Sequence, residues 1–259
     1  MNFSEELQAE IETLHEGFTQ REVASRTRDT APEDDFLVVR CDGIRSSKHF
    51  LKDALENPKY RMALHRAVET TYTIWRQWAA EKDQPFLLGA IRFSDEVSFF
   101  INRGQNYFER RIMKTTTSLA STLTGAMSLR YRPEPASRSN LVTFDGRPLI
   151  LASTIEVLSY IRWRRLLHAR NSMAKTLRLR SELSDDVLYG DKPWLADDIH
   201  QLGLEIDERG LWRAFEEASG GGSIYSVAAD GGLRAATLPS YPDDDRAVRS
   251  GLESWPSSR

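Results

Sequence analysis

Three carboxylates lie where short apolar segments end, and their positions suit phosphoryl transfer. Asp42 follows one run of β-branched and apolar residues, and Asp95 and Glu96 follow another. Carboxylate oxygens are hard ligands that suit Mg²⁺, and two such ions stabilise the attacking and leaving oxygens of a phosphoryl transfer. Gly43, next to Asp42, has no side chain to keep phosphate oxygens away from the backbone. These residues are candidates for a catalytic site if folding brings them together.

The apolar segments predict an alternating order of strands and helices. Strands are expected at 36–41, 86–93, 97–102 and 148–152, and helices at 60–81 and 105–129. Because the connection between the second and third strands is so short, these strands form an antiparallel hairpin. The order strand, helix, strand, strand, helix, strand is that of the ferredoxin-like unit. The predicted fold class is therefore α+β, with an antiparallel β-α-β-β-α-β sheet and added helices.

The added helices lie on both sides of this unit in the sequence. One is expected from about Ser4 to Arg21, and another follows the fourth strand, where Thr154 is the expected cap. The last ~20 residues are rich in Gly, Ser, Pro and Asp, which indicates a loosely ordered tail. We predict three regions: an N-terminal helix and linker (1–35), a catalytic unit (36–153) and a helical C-terminal region with an acidic tail (154–259).

The predicted topology brings the carboxylates together. In a ferredoxin-like unit the first strand lies beside the third, so the end of the first strand meets the hairpin at one edge of the sheet. Asp42, Asp95 and Glu96 then converge, and like charges are costly together unless a cation neutralises them. The alternative is that Asp42 and Gly43 form only a turn and that Asp95 and Glu96 form only a hairpin tip.

The charge of the chain is divided unevenly along its 259 residues. The net charge is −3, but residues 181–259 carry 16 acidic and 7 basic residues. The segment 162–180 contains six arginines and one lysine and no acidic residue. A basic helix of this kind favours contact with an RNA backbone. The alternative is a solvated charged face.

Several classes of protein are excluded by composition. A single cysteine, Cys41, rules out an intrachain disulfide and a cysteine-rich zinc site. We expect Cys41 to be a buried, inert thiol. No segment approaches 18 consecutive apolar residues, and the N-terminus is acidic and amphipathic rather than a secretory signal. We therefore expect a cytoplasmic protein without membrane contact.

A family resemblance extends over most of the chain. Five segments resemble, in order and spacing, the tRNA-His guanylyltransferase superfamily of 3′–5′ nucleotide polymerases: RCDGIRSSKHF (40–50), FSDEVSFF (93–100), YFERRIMKTTTSLAS (107–121), FDGRPLIL (144–151) and YIRWRR…RNSM (160–173). The resemblance implies a polymerase-type palm with two Mg²⁺ that adds nucleotides to the 5′ end of tRNA. It also implies a nucleoside triphosphate substrate, GTP in the first instance, and a homo-oligomer, either dimer or tetramer.

The resemblance also implies roles for individual residues. Asp42 and Asp95 match the residues that hold both metals, with help from the Gly43 carbonyl, and Glu96 matches an adjacent essential acid. The residues implied in nucleotide binding are Ile44, Arg45, His49, Ser94, Arg111, Lys114, Arg170 and Asn171. Of these, Arg111 and Lys114 are expected one turn apart on one helix with Arg110, where they present charge to phosphates.

Departures from the eukaryotic pattern point to one branch of the superfamily. Eukaryotic members carry HINNLYN where this chain has ARNSMAK at 169–175, so that only Asn171 is retained. This pattern resembles the bacterial and archaeal guanylyltransferase-like branch, whose members mostly repair 5′-truncated tRNAs on a template strand. The implied function is therefore tRNA 5′-end repair or guanylate addition.

Two other functions are compatible with the same residues. A palm-fold nucleotide cyclase, or a related nucleotidyltransferase, would use the metal site without an RNA acceptor. A non-catalytic RNA-binding relative would keep the fold and the basic helix, and the loss of the family's histidine near Asn171 motivates this third possibility.

Overall fold

The computed structural model describes residues 3–44, 46, 59–78, 85–103, 106–131, 141–180, 222–227, 232–238, 248 and 252. The elements are α1 (Phe3–Arg26), β1 (Phe36–Gly43), α2 (Lys59–Trp78), β2 (Leu87–Phe93), β3 (Glu96–Ile101), α3 (Ile112–Arg130), β4 (Phe144–Leu151), α4 (Thr154–Arg180), β5 (Gly222–Val227) and β6 (Leu233–Leu238). None of these helices is long and apolar enough to cross a membrane.

All strands join one antiparallel sheet in the order β4-β1-β3-β2-β5-β6. The first four have the spatial order of the ferredoxin-like unit, with β1 between β3 and β4. The predicted α+β fold class and the antiparallel hairpin are confirmed. β1 and β3 are the two inner strands of this four-stranded unit and pair with each other, so the end of β1 lies next to the hairpin turn.

Helices cover both faces of the sheet because side chains alternate along each strand. On β1, Val39 packs into one apolar cluster with α2 and α3, and Val38 packs into another with α1 and α4. Trp75 and Trp163 are fully buried, one in each cluster. Trp78, which its helical spacing also assigns to the core, is 52% exposed.

The C-terminal region adds two strands that the sequence analysis did not predict. β5 pairs with β2 and β6 pairs with β5, so the hairpin widens the sheet on one side. Gly222 lies against the ring of Phe93, where an added Cβ would come within 2.2 Å of a ring carbon. The rest of the predicted helical region and acidic tail beyond α4 lies mostly outside the described residues.

The helix expected at 105–129 begins seven residues later than predicted. Phe108, Glu109 and Arg110 have φ near +55°, a left-handed backbone that breaks the helix before Ile112. The buried Arg110 side chain donates hydrogen bonds to backbone carbonyls of the linker after α1: Ala31 (2.8 Å), Pro32 and Asp35 (2.9 Å). The expectation that Arg110 shares a phosphate-binding helix face with Arg111 is therefore wrong.

The cap of α4 is Ser153, one residue before the expected Thr154. The Glu156 N–H donates to Ser153 Oγ at 3.2 Å, and the Ala152 N–H donates to Glu156 Oε2 at 2.7 Å. This arrangement resembles a capping box, except that the second donor is Ala152 rather than the cap Ser153, and it satisfies two backbone donors at the start of the helix. Arg21 and this backbone bond together hold the pKa of Glu156 below its ordinary value.

We expect Ser153→Ala to lower the free energy of unfolding by about 1 kcal/mol, because the first turn of α4 loses its side-chain acceptor. Denaturant titration measures the change. Thr154→Ala is the matched control and should have little effect, since Thr154 contributes no capping hydrogen bond. A larger loss in Thr154→Ala than in Ser153→Ala would contradict this assignment.

Candidate active site

The carboxyl end of β1 carries a row of acidic side chains across three strands. Asp42 pairs in register with Glu96 on β3 and with Asp145 on β4. Asp95 precedes Glu96 in the turn that joins β2 to β3, and it is buried. The turn is only two residues long because Ser94 adopts φ 55°, which reverses the chain at once. The structure thus brings Asp42, Asp95 and Glu96 to one edge.

Gly43 makes the close approach between β1 and the turn possible. A Cβ at this position would lie 2.2 Å from Ser46 Oγ and 3.3 Å from the carbonyl oxygen of Asp95. Any larger residue would clash with the side chain of Ser46 and crowd the Asp95 carbonyl of the hairpin turn. The glycine therefore keeps its own backbone, and that of Asp42, beside Asp95.

The electrostatics at this edge favour a bound cation. Burial raises the pKa of Asp42, and the charges of Glu96 and Asp145 raise it further, although Arg40 and Arg147 act in the opposite direction. A carboxylate with a raised pKa is stabilised in its charged form by a nearby positive ion. The donor set therefore has the character of a metal site.

The residues present fit Mg²⁺ in particular. Within the described ranges, no three acidic, histidine or cysteine side chains are grouped closely enough to hold a metal by themselves. Mg²⁺ commonly takes only one or two carboxylates and completes its shell with water and substrate phosphates. Asp42 and Asp95 supply two carboxylates at this edge, where the Gly43 backbone lies against the Asp95 carbonyl.

Glu96 belongs to a buried network of ion pairs. Its Oε2 accepts hydrogen bonds from Arg40 Nη1 at 3.3 Å and from Arg164 Nη2. Arg40 also donates to Glu22 Oε2 on α1 at 2.9 Å. Burial lowers the pKa of Arg40, but Glu96 and Glu22 outweigh this effect and raise it. The carboxylate of Glu96 is therefore occupied by two guanidinium groups next to the candidate metal ligands.

The same contacts change the interpretation of the basic helix. The segment 162–180 contains no acid, but acids from other elements pair with it: Glu10 of α1 accepts from Arg162 at 3.0 Å, and Glu96 pairs with Arg164. Arg165 is almost completely buried. Arg164 and Arg165 are therefore held inside the fold, whereas Arg162 is partly exposed beside Glu10, and the predicted RNA contact of this helix stays a prediction.

Three of the residues predicted to bind the nucleotide follow β1 in the sequence, and the structure describes only the first of them, Ile44. Ile44 is half exposed, and its N–H donates to the Thr143 carbonyl at 2.8 Å, which extends the contact between β1 and the start of β4. Arg45 and His49 lie outside the described residues.

The predicted residues on α4, Arg170 and Asn171, come shortly after a contact between this helix and the end of β2. The ring of His168 lies 5.2 Å from the ring of Phe93, the residue before Ser94. Asn171 follows one turn later on the helix and is partly exposed. Arg170 is on the same helix, and its side chain lies outside the described part of the chain.

Arg111 and Lys114 lie at the start of α3. The Ile112 N–H donates to the Asp29 carbonyl at 2.9 Å, which places this end of α3 beside the linker that leads into β1. Arg111 pairs with Glu109 at 3.6 Å, and Lys114 lies over the ring of Phe108 at 4.4 Å. Two residues after Lys114, Thr116 packs against Gly146, the neighbour of Asp145 on β4. The predicted role of the two cations in phosphate binding stays a prediction.

Asp145 is a member of the acidic row that the sequence analysis did not single out. It lies directly opposite Asp42 and accepts from Arg147 Nη2 at 3.1 Å. Asp145 is the aspartate of the FDGR segment at 144–147, but it was not considered because the fourth strand was predicted to begin only at 148. Extending that strand back to 144 would have placed Asp145 in register with Asp42.

Cys41, between Arg40 and Asp42, takes no part in this chemistry. It is completely buried on the opposite face of β1, in the cluster with α2 and α3. Burial and the neighbouring acids raise the pKa of the thiol. The expectation of an inert thiol agrees with this environment.

Comparisons with known proteins agree on one family. The tRNAHis guanylyltransferase family model matches residues 19–152. The tRNA(His) guanylyltransferase of Neurospora crassa is 28% identical over 53% of this chain and 46% of its own length. The probable tRNA(His) guanylyltransferase of Bos taurus is 27% identical over 52% of this chain and 44% of its own length. The chain thus spans about half the length of these curated relatives.

Solved structures show the same fold. A bacterial tRNA(His) guanylyltransferase-like protein in complex with ATP has a TM-score of 0.62 at 19% identity, covering 91% of this chain and 98% of that one. The corresponding GTP complex has a TM-score of 0.57 at 18% identity, with the same coverage. Because the family model covers more than half of the sequence, this chain belongs to the tRNAHis guanylyltransferase family.

Proposed function

We propose that this chain is a nucleotidyltransferase that adds nucleotides to the 5′ end of tRNA in the 3′–5′ direction. The observation that carries the proposal is the convergence of Asp42, Gly43 and Asp95 at one edge of a ferredoxin-like sheet. The relatives described above are named for guanylate transfer to tRNA(His), and the bacterial relative was solved with ATP and with GTP. A nucleoside triphosphate, GTP in the first instance, is the proposed donor.

The proposed reaction joins a nucleotide to an activated RNA 5′ end. The 3′-hydroxyl oxygen of the incoming nucleoside triphosphate forms a bond to the 5′ α-phosphorus of the RNA. The bond from that phosphorus to its β-phosphate oxygen breaks, pyrophosphate leaves, and the hydroxyl proton passes to solvent. Such a reaction needs orientation of two phosphates and neutralisation of developing negative charge.

The residues at the acidic edge divide these tasks. Asp42 and Asp95, with the Gly43 carbonyl, would hold two Mg²⁺, which supply charge neutralisation and Lewis-acid activation when bound. Glu96 is a positioning residue in this proposal, since its carboxylate fixes Arg40 and Arg164 beside Asp42. The short turn at Ser94 holds Asp95 at the edge of the sheet.

The remaining predicted residues are assigned by their position. Asn171 and Arg170, on the stretch of α4 just beyond Phe93, are proposed to contact the nucleotide. Arg111 and Lys114, at the start of α3, are proposed to contact phosphates of the nucleoside triphosphate. A homo-oligomer remains part of the proposal.

The test is extension of a 5′-truncated, 5′-triphosphorylated tRNA with GTP and Mg²⁺. Wild type should add nucleotides, and Asp95→Asn should slow addition by about a thousandfold, corresponding to ~4 kcal/mol of transition-state stabilisation. Asp34→Asn, which changes an exposed aspartate of the linker, is the matched control and should retain wild-type activity.

Two outcomes would refute the proposal. One is an Asp95→Asn variant that extends the tRNA as fast as Asp34→Asn. The other is a wild-type protein that adds nothing to the tRNA. Formation of a cyclic nucleotide from GTP without RNA would then identify the cyclase alternative.

A further inference from the structure

A second positive centre lies on the opposite face of the sheet from the ion-pair network. Arg92 on β2 is only 6% exposed, and its Nη2 donates to Ser223 Oγ on the adjacent strand β5 at 2.9 Å. Its Nε and Nη1 are also buried, and neither has a hydrogen-bond partner among the described residues. A buried guanidinium with two unsatisfied N–H groups requires an explanation.

Arg61 on α2 adds a second guanidinium to this centre. Its Nε is buried and lacks a hydrogen-bond partner within the described part of the chain. Burial lowers the pKa of Arg61, and the nearby charge of Arg92 lowers it further. Two like charges therefore lie close together, an arrangement that is unfavourable unless an anion lies between or beside them.

The groups around the two arginines do not supply that anion. The Tyr225 hydroxyl interacts with Arg92 and lies 3.0 Å from His65 Nδ1, but it is neutral because burial raises its pKa, and Ser223 is also a neutral acceptor. Glu69, the acid on this part of α2, is already paired with His65 Nε2 at 3.3 Å and with Arg66 at 2.9 Å.

The centre lies close to the candidate active site but is separate from its acidic row. Arg92 is three residues before Asp95, about 10 Å along the chain. Arg61 follows Tyr60, whose pKa is raised by burial and then by the charge of Asp95. Because side chains alternate, Arg92 projects toward α2, whereas Asp42 and Glu96 project toward α1 and α4.

We propose that Arg92 and Arg61 form an anion site that binds a phosphate group beside the catalytic edge. The planar guanidinium presents N–H groups in a fork that matches two phosphate oxygens. The phosphate belongs to a nucleoside triphosphate or to an RNA backbone, because both carry the same recognisable group. Ser223 orients Arg92 through its hydrogen bond, and the half-buried Arg61 leaves the centre open toward solvent.

The primary test measures binding of inorganic tripolyphosphate in EDTA, so that neither metal nor turnover contributes. Tripolyphosphate should stabilise wild type against heat, because a ligand that binds only the native state raises its stability. Arg92→Met and Arg61→Met should each weaken binding by about tenfold or more, since each removes charge-assisted hydrogen bonds. Arg130→Met, an exposed arginine at the end of α3, should bind as wild type does.

A second test measures the thermal stability of the protein without a bound anion, where Arg92→Met should be stabilising rather than harmful. Without tripolyphosphate, Arg92→Met should unfold at a higher temperature than wild type, because it removes a buried charge that lacks a partner. A lower unfolding temperature for Arg92→Met would mean that an acidic segment of the chain outside the described residues neutralises Arg92, and this result would overturn the proposal. Unchanged tripolyphosphate affinity in Arg61→Met would also overturn it, and that variant alters only a partly exposed helix position.

The affinities for GTP and for a 5′-hydroxyl RNA oligonucleotide, measured under the same conditions, show whether the bound phosphate comes from a nucleotide or from an RNA backbone. A loss of affinity for GTP alone supports the site and identifies it as a nucleotide subsite. A loss for the RNA alone supports it and identifies a backbone contact. Equal affinity of wild type and Arg92→Met for both ligands would overturn the proposal, whatever the tRNA extension assay shows.

Discussion

Glu96→Gln is expected to lower the free energy of unfolding by about 3 to 5 kcal/mol, because it leaves the buried guanidinium of Arg164 without its carboxylate and leaves Arg40 with Glu22 alone. Arg40 and Arg164 both donate to the same Glu96 oxygen, and neither guanidinium can lose its proton to escape the penalty. Denaturant titration by circular dichroism measures the loss. Glu69→Gln, in an exposed ion pair with Arg66, is the control and should cost less than about 1 kcal/mol.

A double-mutant cycle separates the ion pair from a general loss of packing. In Glu96→Gln with Arg164→Met, one unpaired charge is removed together with its partner, so the combined loss should be smaller than the sum of the two single losses. Additive losses, or a Glu96→Gln variant as stable as Glu69→Gln, would show that the network does not stabilise the fold in this way.

Asp42→Asn is expected to abolish nucleotide addition while it stabilises the protein. Loss of a metal-binding carboxylate should slow tRNA extension by about a thousandfold, or ~4 kcal/mol. In EDTA, however, the variant should unfold at a higher temperature than wild type near neutral pH. The reason is that the charged form of Asp42 is unfavourable when no cation is bound.

The sign of this effect follows from the direction of the pKa shift. Burial and the neighbouring charges of Glu96 and Asp145 raise the pKa of Asp42 in the folded state. Stability from such a group is present at low pH and is lost as the pH rises through the folded pKa. The difference in unfolding temperature between Asp42→Asn and wild type should therefore increase as the pH rises from 4 to 7. Thermal unfolding in EDTA across that range tests it, and an Asp42→Asn variant less stable than wild type at pH 7 would contradict it.

The central topology was predictable because its signals are local. Continuous apolar runs mark the buried strands, and the connection after Phe93, predicted as three residues and found as two, is too short for anything but a hairpin. The placement of Asp42 beside Asp95 then follows from the order of strands. The β5–β6 hairpin had no comparable signal, since its strands are short and rich in Ser, Ala and Gly. Their place in the sheet depends on contacts with β2, such as Gly222 against Phe93.

The charge partners were not predictable from spacing. The acids that pair with Arg162 and Arg164 lie more than 60 residues away along the chain, so a local count shows an unpaired basic helix. The helix break before Ile112 had no sequence marker either, because left-handed residues are most often glycine, and here the chain has Phe108, Glu109 and Arg110. Tertiary contacts of Arg110 with the linker accompany that conformation.

The ion-pair network has a consequence for how far the molecule can be divided. Glu22 lies on α1, Arg40 and Glu96 lie on central strands, and Arg164 lies on α4, so the pairs join all three regions recognised in the sequence. A fragment that starts at the first strand would keep Arg40 but lose Glu22. We therefore expect a fragment to fold on its own only if it retains both flanking helices, α1 and α4.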